Sequence, residues 1–144
     1  MERIHEEDQV EVLVLPQSMS SGATITGTYK PLSGGMSDVL FSAVCGVLAA
    51  GKKLTVEVFQ ADDASGTNAE EIPAAESVFT APGGGATKGQ VLISIPLDQF
   101  TRPYATVKLT NDASGPVLGY AEMILDLRER HKNANSQADV VTVL

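Results

Sequence analysis

Apolar and polar residues alternate with a period of two in one short segment after another, the spacing that puts successive side chains on opposite faces of a strand. Val10, Val12 and Val14 mark a first strand, expected to end at Pro16, followed by a serine-rich loop over Gln17–Gly22. Thr24, Thr26 and Thr28 alternate with Ala23, Ile25 and Gly27 in a second strand, broken by Pro31 and Gly34-Gly35. Ser37–Leu48 is the most apolar stretch; its branched residues and Gly46 favour a central strand bent at that glycine over a buried helix. Leu54–Gln60 follows a hairpin turn at Ala50-Gly51, with Val56 and Val58 on one face.

Farther along, Asn68–Ala75 reads as a helical turn stopped by Pro73, Ser77–Thr80 as a brief strand, and Pro82–Gly85 as a loop tip. Gln90–Ile95 is a strand ending at Pro96, and Leu97–Phe100 a short turn that plugs an apolar side chain into the end of the sheet. Ala105–Thr110 presents Ala105, Val107 and Leu109 on one face. In Leu118–Leu127, Ala121, Met123, Leu125 and Leu127 form a uniformly apolar face, the expected core face. This makes about eight short strands at regular spacing with no competing helical pattern, which predicts an all-β fold: an antiparallel β-sandwich or jelly-roll-like domain. The domain is expected over residues 10–127, with a polar arm at 1–9 and a tail at 128–144 that ends in a further strand.

That last strand shapes the interaction reading. Val140, Val141, Val143 and Leu144 follow a polar stretch, and a solvated tail rarely finishes on large apolar residues. Two placements are open: the strand closes the domain's own sheet, or it adds to a neighbouring subunit. The only dense basic run, Arg128, Arg130 and Lys132, lies just before it, whereas Glu2, Glu6, Glu7, Asp8 and Glu11 load the other end. Arg128, Arg130, Val140, Val141, Val143 and Leu144 are therefore the subunit-contact candidates. Deleting Asp139–Leu144 is expected to leave the domain folded and weaken its attachment to a partner.

Charge and chemistry narrow the function. The 144-residue chain carries a formal charge of −8, which disfavours naked nucleic acid as a direct partner. No apolar run approaches membrane-spanning length, so no membrane partner is expected. The lone Cys45 sits among Ala43, Val44, Gly46 and Val47, the setting of a buried structural thiol in a chain made in a reducing compartment. His5 and His131 stand in charged segments away from any nucleophile elbow, and one cysteine with two distant histidines cannot build a zinc site. Asp62, Asp63, Ser65 and Asn68 place oxygens close together, but they lack the spacing of a calcium loop and suit a turn. Gly83–Gly89 lacks phosphate-loop order. The chain reads as non-enzymatic, with no catalytic residue, metal or cofactor.

Two strands, Leu54–Gln60 and Ala105–Thr110, each run into Asp-Ala-Ser-Gly, at Asp63–Gly66 and Asp112–Gly115. The first, Val56–Ala69 followed by Ile72 and Ala75, then Val91–Ile95 with Leu97-Asp98 and the Tyr-led strand Tyr104–Thr110, resembles small virion structural proteins encoded among the head genes of tailed bacteriophages. The resemblance covers roughly residues 23–125, a single-domain span. It implies a capsid decoration (cement) protein, located in the virion after synthesis in the host bacterial cytoplasm, with the major capsid protein and copies of itself as partners, forming a homo-oligomer on the shell. A head–tail connector or tail accessory protein, and a soluble β-sandwich ligand-binding module, remain open alternatives.

Overall fold

A computed structural model describes residues 8–32, 38–126 and 138–144. The strands are β1 (Asp8–Met19), β2 (Thr24–Thr26), β3 (Lys30–Pro31), β4 (Asp38–Cys45), β5 (Lys53–Ala61), β6 (Glu70–Glu71), β7 (Ser77–Thr80), β8 (Gly89–Pro96), β9 (Tyr104–Asn111), β10 (Val117–Asp126) and β11 (Val140–Val143). They form two sheets. One has the order β1-β10-β4-β8-β11; the other has the order β2-β9-β5-β6, with β3 also on β9 and β7 also on β5.

The pairing has a simple logic. β1 pairs with β10, β2 and β3 with β9, β4 with β8, and β5 with β6 and β7, all antiparallel. The first half of the chain therefore runs back along the second as one long hairpin, rolled so that alternate strand pairs fall in alternate layers. Taking β2 with β3 and β6 with β7 as interrupted single strands, this is the eight-strand jelly roll. β11 is an addition to it, lying parallel to β8 at the sheet margin.

Side-chain alternation fills the space between layers. From the first sheet come Val39, Phe41, Ala43 and Cys45 of β4, Val91, Ile93 and Ile95 of β8, and Ala121, Met123 and Leu125 of β10. Leu54, Val56 and Val58 of β5 and Ala105, Val107 and Leu109 of β9 face them. The core faces expected from the sequence on β5, β9 and β10 are thus the buried ones, apart from Leu127, which lies outside the described residues. Phe100, after the short 3-10 turn Leu97–Gln99, packs its ring 6.4 Å from that of Phe41 and closes one end of the sandwich.

Several local expectations are corrected. β1 does not stop at Pro16 but runs to Met19, taking in part of the predicted loop. Its register with β10 shifts between Val12 and Val14 and again between Val14 and Gln17. Pro16 falls within the second shift, on an edge strand where a missing N–H removes no ladder bond. The first shift breaks the alternation, so Leu13 and Val14 are both buried while Val10 and Val12 face outward. Only Thr24–Thr26 of the second predicted segment is strand, and Lys30–Pro31 pairs with Tyr104–Ala105 rather than breaking the sheet. Pro73 begins a 3-10 turn instead of stopping one, because its missing N–H is harmless at a first helical position.

Of the arm expected over 1–9, residues 1–7 lie outside the described residues, and Asp8 and Gln9 already belong to β1. Of the tail expected over 128–144, residues 128–137 lie outside them, and so do His5 and His131. No helix among the described residues is long and apolar enough to cross a membrane.

Candidate interaction surface

The outer face of the five-stranded sheet is unusually apolar. Register places Val10, Ile124, Leu40, Ser94 and Val143 in one row across all five strands. The next row is Val12, Glu122, Ser42, Leu92 and Val141, and a third joins Tyr120, Val44 and Gln90. Val10 is 51% exposed and Val12 38%. Two polar pairs on it are bonded: the Tyr120 hydroxyl donates to Glu122 at 2.8 Å and the Gln90 amide to the Ser42 hydroxyl at 3.1 Å. The most exposed of these side chains lie at the two margins, with Leu40, Val44, Leu92 and Ile124 half-buried between them, and exposed apolar patches are a mark of interaction surfaces.

β11 forms one margin of that surface. Val140 and Leu144 are half-buried and pack on the core, while Val141 and Val143 point outward, 45% and 51% exposed. Thr142 faces the second sheet, and its hydroxyl lies 2.6 Å from that of Ser77 on β7. The Asp139 carboxylate accepts the Gln90 N–H at 2.8 Å, pinning the start of the strand. The strand therefore lies in the chain's own sheet, one of the two placements open at the sequence level. Among the subunit-contact candidates, the structure splits Val140 and Leu144 inward from Val141 and Val143 outward; Arg128 and Arg130 lie outside the described residues.

The sequence reading missed most of the remaining members of the surface, Val10, Val12, Leu40, Val44 and Leu92, while Ile124 falls on the parity opposite the expected core face of β10. A signal existed. Val39-Leu40-Phe41 and Val91-Leu92-Ile93 are apolar at both parities, the mark of strands covered on both faces. The second sheet covers only one of them.

The second sheet's outer face has a different character. Glu57 of β5, Glu71 of β6 and Glu76 bring carboxylate oxygens within 4.8 Å of one another. Lys108 stands opposite Glu57 across the strand pair, its ammonium 4.0 Å above the Phe59 ring. Three partly exposed carboxylates fall short of the roughly six to eight oxygens that calcium takes. Their clearest consequence concerns protons. Partial burial, and then the charges of Glu71 and Glu76, raise the Glu57 pKa above the ordinary glutamate value, with Lys108 opposing. The folded state then holds a proton that the unfolded chain has released, so stability falls as pH rises from the ordinary value through the raised one. Glu57→Gln is accordingly expected to raise the urea midpoint at pH 7. The gain should vanish below about pH 4, where the carboxyl is protonated in both states.

The Asp-rich turn is structural. Asp63 accepts the Ser65 and Thr67 N–H groups at 2.9 and 3.2 Å and the Thr67 hydroxyl at 2.7 Å. Asp62 accepts the Asn68 amide at 2.7 Å and Arg102 at 2.6 Å. These bonds hold both carboxylates below their ordinary pKa and turn them toward the chain itself. Gly66 has φ +79°, and a side chain there would meet the Tyr29 ring at 2.8 Å. The second Asp-Ala-Ser-Gly does other work: Asp112 accepts the Lys53 N–H at 2.6 Å and Asn111 accepts the Ala113 N–H at 3.2 Å. The two motifs share letters and not geometry. Cys45 is buried, and burial raises its thiol pKa, which keeps it protonated and unreactive.

No protein-family model matches this sequence, and no curated protein matches it. Solved structures do. The PBSX exported protein XepA superposes with a TM-score of 0.54 at 8% identity over 90% of this chain and 41% of its own. A chain of infectious bursal disease virus, Gx strain, superposes with a TM-score of 0.51 at 15% identity over 87% of this chain and 34% of its own. The likeness is one of fold. This chain spans less than half the length of either protein.

Proposed function

We propose that this chain is a non-enzymatic virion structural protein, a capsid decoration (cement) protein of a tailed bacteriophage that binds the major capsid protein and copies of itself on the outside of the head shell. The observation that carries the reading is the apolar outer face of the five-stranded sheet on a jelly-roll fold. A decoration protein needs that combination: a core that holds its shape, and a surface that finds cover only at the shell. The fold it shares with a chain of a virus supports the same direction. So does the sequence resemblance to phage head-gene products. The net charge of −8 suits a position away from packaged DNA. Each contact made only in the assembled shell stabilises that shell, and many modest contacts over a lattice act together.

The test is attachment. Purified chain is mixed with shells assembled without it, and bound copies per shell are counted by quantitative mass spectrometry. A decoration protein saturates at a number set by the shell lattice, a connector at one ring per particle, and a ligand-binding module does not bind. Val10→Ser with Val12→Ser is expected to weaken attachment by about tenfold, the equivalent of about 1.4 kcal/mol, without lowering the urea midpoint. Absence of the chain from purified particles, together with no binding to bare shells, refutes the proposal.

A further inference from the structure

The free margin of β11 has a bonding pattern that fits one occupant. Val143 lies beside Ser94 of β8, and the Leu144 N–H donates to the Ser94 carbonyl at 3.0 Å. In a parallel ladder, residues of one parity turn their N–H and C=O toward the neighbour, and those of the other parity turn away. Thr142 and Leu144 thus face β8, while the N–H and C=O groups of Val141 and Val143 face outward. β11 is the last strand in its sheet, so no described strand stands on that side.

Two of the other edges carry guards. β1 has Pro16, two register shifts and Glu11; β6 is Glu70-Glu71. β11 reads Val-Val-Thr-Val, with no charge, proline or bulge, and two outward valines about half exposed.

We infer that β11 pairs antiparallel with β11 of a second copy about a two-fold axis through Thr142. In that register Val141 stands opposite Val143 of the partner subunit, and Val143 opposite Val141 of the partner subunit. Each opposed pair exchanges both of its N–H···O bonds, so the free groups on one edge match those on the other with none left over. The opposed valines also meet on the outer face, extending the apolar surface into a sheet of double width. A two-fold contact is self-complementary by construction, and an edge offering two bonding residues spaced by one meets that condition with its own copy. The contact does not depend on attachment to a shell: a chain monomeric in solution removes it and leaves binding to the major capsid protein untouched.

The experiment uses the full chain in solution. Light scattering coupled to size exclusion over a wide concentration range is expected to show a monomer–dimer equilibrium. Val141→Pro and Val143→Pro each delete an outward N–H that the β8 ladder does not use, so each is expected to weaken dimerisation by at least about tenfold while leaving the melting temperature unchanged. Should a proline variant unfold, amide exchange on the unmodified chain decides. The Val141 and Val143 amides slow as concentration rises, and the Thr142 amide, already bonded to β8, does not change. A monomer at every concentration, a dimer indifferent to both prolines in folded variants, or exchange at Val141 and Val143 independent of concentration overturns the inference.

Discussion

Phe41→Ala is expected to lower the unfolding free energy by about 3–5 kcal/mol, a large part of the roughly 5–15 kcal/mol that holds a domain of this size. Phe41 is among the largest fully buried side chains and sits on β4, the middle strand of its sheet. Register places it between Met123 of β10 and Ile93 of β8, and its ring meets Phe100 at the sandwich end. Truncation removes the ring's burial and leaves a cavity that neighbouring strands, fixed by their ladders, cannot collapse to fill. The urea midpoint should fall with the slope unchanged, and the melting temperature by about 10–20 °C. Val47→Ala is the control: at 69% exposure, its effect should stay within about 0.5 kcal/mol. A loss below about 1 kcal/mol for Phe41→Ala would mean that the two sheets do not meet around this residue.

The position of Phe41 also shows how far the chain's pattern could be read. Period-two alternation requires only local chemistry, so β5, β9 and β10 and their buried faces were legible residue by residue. Where a strand is apolar at both parities, as in Val39-Leu40-Phe41, periodicity does not say which half faces the core; the register with β10 and β8 does. That is why Leu40 and Leu92 escaped notice as surface, whereas Ile124 falls on the parity opposite the core face expected for β10. β1 defeated the pattern for another reason. Its register shift puts adjacent Leu13 and Val14 inside together, and a bulge leaves no simple trace in alternation. The Asp-Ala-Ser-Gly pair erred in the opposite direction: identical letters took different hydrogen bonds because Asp63 bonds within its own turn, whereas Asp112 bonds across to Lys53.

The glutamates of the second sheet illustrate the same limit. The middle of the sequence is visibly acidic, but whether Glu57, Glu71 and Glu76 repel one another depends on β6 folding back onto β5, where Phe59 pairs with Glu71. Composition shows the charge, and topology decides that it converges. The two outer faces consequently differ in kind: one carries a converging glutamate cluster, the other rows of apolar side chains.

Deleting Asp139–Leu144 should weaken the domain itself, which departs from the expectation that the tail matters only for attachment. The segment closes the margin of the sandwich between β8 and β7. Its removal uncovers the core surface on which Val140 and Leu144 pack, breaks the Ser77–Thr142 contact and frees the edge of β8 from Val91 to Ser94. Two half-buried apolar side chains and a few hydrogen bonds amount to several kcal/mol before the entropy of ordering six residues is set against them. The net loss should be about 1–3 kcal/mol, with the chain still folded because Phe41, Met123 and Ile93 keep their neighbours. The exposed β8 edge should also make the truncated protein aggregate at concentrations the full chain tolerates. Urea denaturation and light scattering on the two proteins check both effects. Thr142→Pro, which removes an N–H facing β8 rather than solvent, should reproduce most of the stability loss, unlike proline at Val141 or Val143. If truncation leaves the urea midpoint where it was, β11 contributes nothing to its own sheet in solution, and its place beside β8 must be given up together with any pairing built upon it.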